Sequence, residues 1–571
     1  MNDQKNLLLA ITLSLTIFFG FNYFFPSRPI EQVAQPTVQS ATTSIVTAPA
    51  INQAAVLLPR DIALKEDIRI PIKTPSVTGS LRLKGAIIDD VELLNYKDIP
   101  EEKSPHVVLL APQKTHRSYS ATFNWLASDS AIECPNENTL WQVEGGKDGA
   151  VLSPDKALKL SYTNKQGIRF ERTFTVDKNY LFTITDHVTN ANPAAVHLQT
   201  LSHVTRVGTP VTNGFFVLHE GGVGVLNRSL SEVSYDDMKK KHQIQQQTTG
   251  GWIGFTDKYW LVALIPSPKD TVNASYLNHP GDVYQTQTTG QLQTVEPGKT
   301  LTVTQHLYAG AKVLSILDSY EKSHGFDRFD LAVDFGWFYF LTKPLFYALD
   351  FFHKLLGNMG LAILLLTVLF KIALFPLANK SHRSMSRMKN LQPKMEKLKQ
   401  TYGNDKMRMN QELMNLYKKE NANPMSGCLP MLVQAPLFFC LYKVFFVTIE
   451  MRQAPFFGWI HDLASPDPTS FLNLFGLLPW DAPSFLAIGA WPLLMGVTMV
   501  VQQRLGPQPA DPQQAKLMML MPILFTYMFA SFPAGLVIYW AWSNILTVLQ
   551  QLYINSRPEP VIEKKKASKR K

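Results

Sequence analysis

The sequence predicts a multi-domain membrane protein, in which an N-terminal anchor helix and an all-α polytopic core accompany an outer all-β domain and a cytoplasmic helical hairpin. Three observations predict it. A mean hydropathy of −0.04 hides a division of the chain. Before about residue 325 apolar side chains alternate with polar ones, and afterwards they run in blocks of helix-spanning length. The net charge of +10 is concentrated in residues 380–419 and in the tail Lys564–Lys571. Finally, 571 residues exceed one compact core, so two or more domains are expected. The three cysteines, Cys134, Cys428 and Cys440, cannot make a disulfide framework. The last two share one apolar segment at a helical rise of roughly 18 Å, beyond disulfide reach.

Residues 1–26 read as a retained transmembrane anchor. Leu7–Phe25 is apolar, with Lys5 before it, and the run ends Phe24-Phe25-Pro26-Ser27-Arg28, bulky where a signal peptidase needs small residues. Residues 27–59, rich in Pro, Ala, Thr, Gln and Ser, have too little patterned apolar surface to fold and read as a flexible linker.

Residues 60–325 read as a large antiparallel sandwich. Ile168, Phe170, Phe174 and Val176 alternate with polar residues, Asp177-Lys178-Asn179 supplies a turn, and Tyr180, Phe182, Ile184 and Val188 resume the alternation. That is a hairpin signature. Similar runs recur at Leu81–Ile88 and Leu301–Leu307. His187, His197 and His203 fall in this region, where isolated strand histidines are expected to be structural or solvated.

Residues 326–357 mix the aromatic run Phe335-Gly336-Trp337-Phe338-Tyr339-Phe340 with Asp334, Lys343, Pro344 and Asp350. The mixture suits an amphipathic helix lying in the headgroup zone. Candidate transmembrane helices follow at 358–377, 428–449, 485–504, 517–532 and 535–555, the last two joined by the turn Pro533-Ala534-Gly535. Residues 450–484 form an outer loop. With the anchor this makes six spans.

Charge sets the topology. The segment 380–424 holds eleven Lys and Arg against four Asp and Glu, and the tail 556–571 adds Lys564, Lys565, Lys566, Lys569, Arg570 and Lys571. Positive residues stay cytoplasmic. Six spans put both segments and the N-terminus inside, and residues 27–357 mainly outside, in the periplasm of a bacterium with two membranes.

No Walker loop, Gly-x-Ser-x-Gly elbow, His-Glu-x-x-His or other metal-ligand spacing occurs, so the sequence points to no enzyme and no cofactor. Its sharpest feature is Lys371, within Leu364–Phe375. A mid-helix lysine costs roughly 2.5–3.5 kcal/mol on insertion scales. Snorkelling to the cytoplasmic end, roughly 9 Å away, is one reading. Thr367 one turn above, Gln434 in the next span, and Ser543 and Asn544 in the last support another, a partly hydrated polar site. The second feature is 380–424. Met385, Met388, Leu391, Met395, Leu398 and Tyr402, then Met409, Leu413, Leu416 and Tyr417, recur at three and four with Gly403-Asn404-Asp405 between. Two amphipathic helices in a hairpin result, with a basic face suited to anionic lipids or ribosomal RNA.

Further motifs carry a resemblance. They are Lys343-Pro344-Leu345-Phe346, the span end Lys371–Pro376, Leu391-Gln392-Pro393-Lys394, and Asn423-Pro424 with Gly427-Cys428-Leu429-Pro430. Arg452-Gln453-Ala454-Pro455-Phe456, Trp459-Ile460-His461-Asp462-Leu463 and Phe532-Pro533-Ala534-Gly535-Leu536 with Ser543-Asn544 complete them. In order and spacing the chain resembles, over essentially its whole length, the YidC/Oxa/Alb family of membrane protein insertases. The resemblance implies a five-helix insertase core in the bacterial inner membrane, with a hydrophilic groove open to cytoplasm and bilayer. It also implies a periplasmic all-β supersandwich domain similar to sugar-binding sandwiches, with no catalytic role required. A basic groove residue would receive hydrophilic or acidic parts of an incoming chain. The implied partners are nascent membrane proteins, the Sec translocon, and the ribosome through the cytoplasmic hairpin and basic tail. By position, Lys371, Thr367 and Tyr539 would line the groove, and Gln434 and Phe438 would face a passing substrate helix. The family's groove residue is usually arginine. Lys371 keeps the charge and loses the planar fork.

Two other classes fit parts of the sequence. A transporter or channel would use the polar stripe as a solute path, although no inverted repeat or paired broken helices appear. A tethered sugar-binding or epimerase domain would need only one span.

Overall fold

The fold was analysed in a computed structural model. It describes residues 57–99, 101, 103–210, 218–336, 338–402, 405–420, 429–478, 480, 483, 487–505 and 512–556. The predicted anchor, most of the linker and nearly all of the basic tail lie outside the described residues.

Alternating sequence between 69 and 311 builds two antiparallel sheets, one of 10 strands and one of 9. In the first, Val196–Val207 is flanked by Tyr119–Ala127 and Val283–Gly290. In the second, Thr300–Ala311 is flanked by Leu181–Asn190 and Trp260–Pro266. The hairpin legible in the sequence pairs Ile168–Val176 with Leu181–Asn190, through Phe170↔Val188 and Phe174↔Ile184. Its apolar positions are all buried, and Arg172, Asp186 and Asn190 are buried with them. Leu301–Leu307 lies within Thr300–Ala311. The run Leu81–Ile88 is not one strand: Val77–Arg82 and Ile87–Lys97 pair with each other. The chain reverses there because Gly85 and Ala86 sit at φ 80° and 51°, which no strand accommodates.

A buried polar cluster joins the sheets. Arg172 Nε and Nη2 donate to the two Asp186 oxygens at 2.7 and 2.8 Å, and Nη1 donates to the Phe123 carbonyl at 2.6 Å. Trp125 Nε1, from the opposite sheet, donates to Asp186 at 2.8 Å. The planar guanidinium thus spends its fork on one carboxylate and one carbonyl. The three histidines do not converge. His187 bonds Thr302 and His197 bonds Thr294, both at 2.9 Å, while His203 faces Glu137 at 3.4 Å.

Among the described residues three α-helices belong to this part: α1 (Arg60–Ala63), α2 (Tyr235–Lys241) and α3 (Leu314–His324). Residues 326–336 continue it instead of starting the expected amphipathic helix. Phe326, Phe329, Val333 and Phe335 are buried, and Phe329 packs edge-on against Trp252 and Tyr308. Among the described residues of that stretch, a short 3-10 turn at Phe329–Ala332 precedes the α-helix α4 (Tyr339–Leu356). Lys343 of α4 ties the parts together, reaching Asp318 at 3.0 Å and Asp330 at 2.5 Å.

The remaining helices are α5 (Met359–Ala373), α6 (Phe375–Tyr402), α7 (Lys406–Lys419), α8 (Leu429–Val447), α9 (Ala490–Leu505), α10 (Pro512–Phe529) and α11 (Ala534–Ser556). The helix expected over 358–377 stops at Ala373 and bends by 64° into α6. Pro376 explains the break: it has no N–H for the preceding turn and fits the first turn of a new helix. The hairpin helix consequently begins before 380. Asp405 caps α7 by accepting from Arg408 N at 3.0 Å, and Leu391 and Met395 pack with Met388, Leu413, Leu416 and Tyr417.

Among the described residues no single helix is long and apolar enough to cross a membrane; α5 and the start of α6 reach that length and composition only when taken together across their bend. α9, α10 and α11 nonetheless expose Val497, Met519, Ile523, Leu524, Leu549 and Leu552. Such bands are costly in water and suit lipid.

Candidate functional site

Lys371 sits in the last turn of α5, just before the bend. Its ammonium Nζ lies 2.8 Å from Thr547 Oγ1 of α11 and 3.5 Å from Gln434 Oε1 of α8. The first is a full hydrogen bond and the second is marginal. Gln434 Nε2 donates to Ser543 Oγ at 2.9 Å, and Gln550 Nε2 donates to the Lys371 carbonyl at 3.2 Å. Tyr539, Ser543, Thr547 and Gln550 follow one face of α11 at helical spacing, and the Tyr539 hydroxyl is within reach of Gln434. A polar seam therefore runs where α5, α8 and α11 meet. Among the described residues no carboxylate pairs with Lys371; its partners are neutral dipoles.

The other predicted residues divide. Gln434 joins Lys371 directly. Thr367 is buried one turn above, with its hydroxyl turned back onto the Ile363 carbonyl at 2.7 Å, so it lends the seam no free donor. Tyr539 is buried at the upper end of the seam. Phe438 points elsewhere, into an aromatic group with Trp540 at 4.8 Å and Phe529 at 6.1 Å. Asn544 turns away as well: it donates to Thr498 Oγ1 of α9 at 3.2 Å and holds two helices together. Thr547 and Gln550 escaped the sequence reading. Their signal was the spacing of four from Ser543 to Thr547, which repeats the spacing from Tyr539 to Ser543.

A helical bundle with exposed apolar faces and an internal cationic seam, joined to a two-sheet β-domain, is the arrangement of an integral membrane protein. The chain belongs to the YidC family of membrane protein insertases. Residues 69–348 match the family model described as the YidC periplasmic domain, and residues 351–561 match that of the 60Kd inner membrane protein. The membrane protein insertase YidC of Rickettsia bellii (strain OSU 85-389) is 46% identical over 567 residues, covering 97% of this chain and 99% of that one. That of Rickettsia akari (strain Hartford) is 46% identical over 563 residues, with the same coverage. A solved structure of an active YidC insertase with its first transmembrane domain resolved aligns at 17% identity and a TM-score of 0.35, covering 85% of this chain and 92% of that one.

Proposed function

We propose that this chain inserts and folds integral membrane proteins in the bacterial inner membrane, alone or beside the Sec translocon, through a hydrophilic groove built on the polar seam. One observation carries the reading: Lys371 is solvated by Thr547 and Gln434 and, among the described residues, has no carboxylate partner. A cation held by neutral dipoles is free to receive an acidic side chain from outside the protein. At ~4 Å and an effective dielectric near ~20 the attraction is about 4 kcal/mol before desolvation, enough to hold a polar tail briefly without trapping it. The client then slides sideways from the seam into lipid. No nucleotide enters this scheme.

In this reading α5, α8, α9, α10 and α11 cross the membrane, the β-domain is periplasmic, and both termini are cytoplasmic. The basic faces of the α6–α7 hairpin and the tail meet the ribosome and anionic lipids. Photocrosslinkers placed at Gln434 and Thr547 test it against a stalled nascent membrane protein. Both positions are expected to crosslink, while Asn544, buried between α9 and α11, is not. Equal labelling from all three, or none from the first two, contradicts the groove. Solute conductance from purified protein would favour a channel instead.

A further inference from the structure

A cavity of about 320 Å³ lies between the β-domain and the outer ends of α5 and α8. Glu450, Arg452, His353, Asn358 and Tyr96 are among its lining residues. Glu450 Oε2 and Arg452 Nη1 are both buried there without a hydrogen-bond partner. The rest of the Arg452 guanidinium is anchored, donating through Nη2 to the carbonyls of Lys97 at 2.5 Å and Asp98 at 3.2 Å. Among the described residues no ion pair joins Glu450 to Arg452, and Lys354 is committed to Asp350 at 2.6 Å. Buried charged atoms are not left unpaired without cost. An anion and a cation fixed apart in one cavity form a receptor for a ligand that carries both signs. α4 contributes His353 to the lining, while Phe351 and Leu355, 62% and 67% exposed, lie on the opposite face of that helix.

We propose that this cavity binds the headgroup of a zwitterionic aminophospholipid. The lipid's primary ammonium donates to Glu450 Oε2, its phosphate accepts from Arg452 Nη1, and its acyl chains leave through the mouth of the cavity. A phosphocholine has no N–H to give Glu450, and a phosphatidylglycerol has no cation. The inference rests on the orientation proposed above, in which the outer ends of α5 and α8 lie at the outer headgroup layer.

The test is lipid retention by the purified full chain at pH 8, where Glu450 is ionised, measured by native mass spectrometry after addition of palmitoyl-oleoyl phosphatidylethanolamine, phosphatidylcholine or phosphatidylglycerol at equal concentration. The ethanolamine lipid is expected to be retained at least ~10-fold better than the other two, a difference of about 1.4 kcal/mol. Glu450→Gln and Arg452→Gln are each expected to remove that preference, and soluble phosphoethanolamine is expected to displace none of the bound lipid. Equal retention of the ethanolamine and choline lipids by the wild type overturns the proposal without any variant having to fold. Unchanged preference in Glu450→Gln overturns it too, and full displacement by phosphoethanolamine overturns the lipid part. Failure here is distinguishable from failure of the insertion reading, because wild-type insertion that depends on Lys371 without lipid preference sinks only this inference.

Discussion

Lys371 Nζ and Thr547 Oγ1 stand 2.8 Å apart, from helices 176 residues distant in the chain. The hydroxyl is oriented by its own helix, since Thr547 Oγ1 also donates to the Ser543 carbonyl at 2.7 Å. Its lone pairs are thereby left for the ammonium. The lysine is solvated by geometry fixed before any client arrives, and among the described residues its charge is not spent on a carboxylate.

Thr547→Val keeps the shape and removes that acceptor, leaving the ammonium with Gln434 at 3.5 Å. The variant is expected to lose about 1–3 kcal/mol of stability, read as a lower denaturant midpoint in detergent. Thr547→Ser restores the hydroxyl and should lie close to wild type. Equal midpoints for the Val and Ser variants would remove Thr547 from the account.

In the β-domain, Asp186→Ala strands the Arg172 guanidinium and the Trp125 indole N–H in the core. A loss of about 3–5 kcal/mol is expected, seen as an early unfolding transition by tryptophan fluorescence. The double change Arg172→Leu with Asp186→Leu removes both charges and should recover part of the loss. A single variant as stable as the double one would contradict the pairing.

Glu450 makes stability depend on pH. Burial pushes its carboxyl up to about 7, Asp350 adds repulsion, and Lys354 partly offsets it; His353 and Arg452 also line the cavity. An unfolded glutamate titrates near ~4.3. Between about 4.3 and 7 the folded chain holds a proton that the unfolded chain lacks, so stability falls as pH rises through that window and is level above it. Compared with Glu450→Gln, the wild type should lose on the order of 3–4 kcal/mol between pH 4 and pH 8. A constant difference across that range contradicts the burial.

Gly496 of α9 sets a close helix approach. A Cβ there would lie 2.1 Å from Thr526 Oγ1 of α10. Gly496→Val is expected to cost about 1–3 kcal/mol through overpacking, and adding Thr526→Ala should return some of it. A melting temperature unchanged by Gly496→Val would show that the two helices separate freely.

Much of this was legible in local pattern. The period-two alternation around Phe170 and Phe182 marked a hairpin because each strand keeps one face in the core. The three-and-four spacing of Met388, Leu391 and Met395 marked the helical hairpin in the same way. The bend at Leu374 was less legible, since Pro376 sits inside an apolar run that reads as continuous. The turn at Gly85 was hidden because apolar residues flank it on both sides. Lys371 and Gln434 stood out as polar groups in apolar surroundings. Their partner Thr547 did not, because threonine bonds its own helix easily and rarely attracts notice. Nor could local pattern separate Ser543 from Asn544: adjacent positions on a helix face different neighbours, and only the packing of α9 against α11 decides which one looks inward.

The central claim is that Lys371 acts as an attracting charge. It is tested most directly in proteoliposomes, by the insertion of a single-spanning client with an acidic tail. Lys371→Ala is expected to lower the inserted fraction at least ~10-fold, the loss of about 1.4 kcal/mol of favourable attraction, while Lys371→Arg inserts as the wild type does. Equal insertion by wild type and Lys371→Ala would contradict the account.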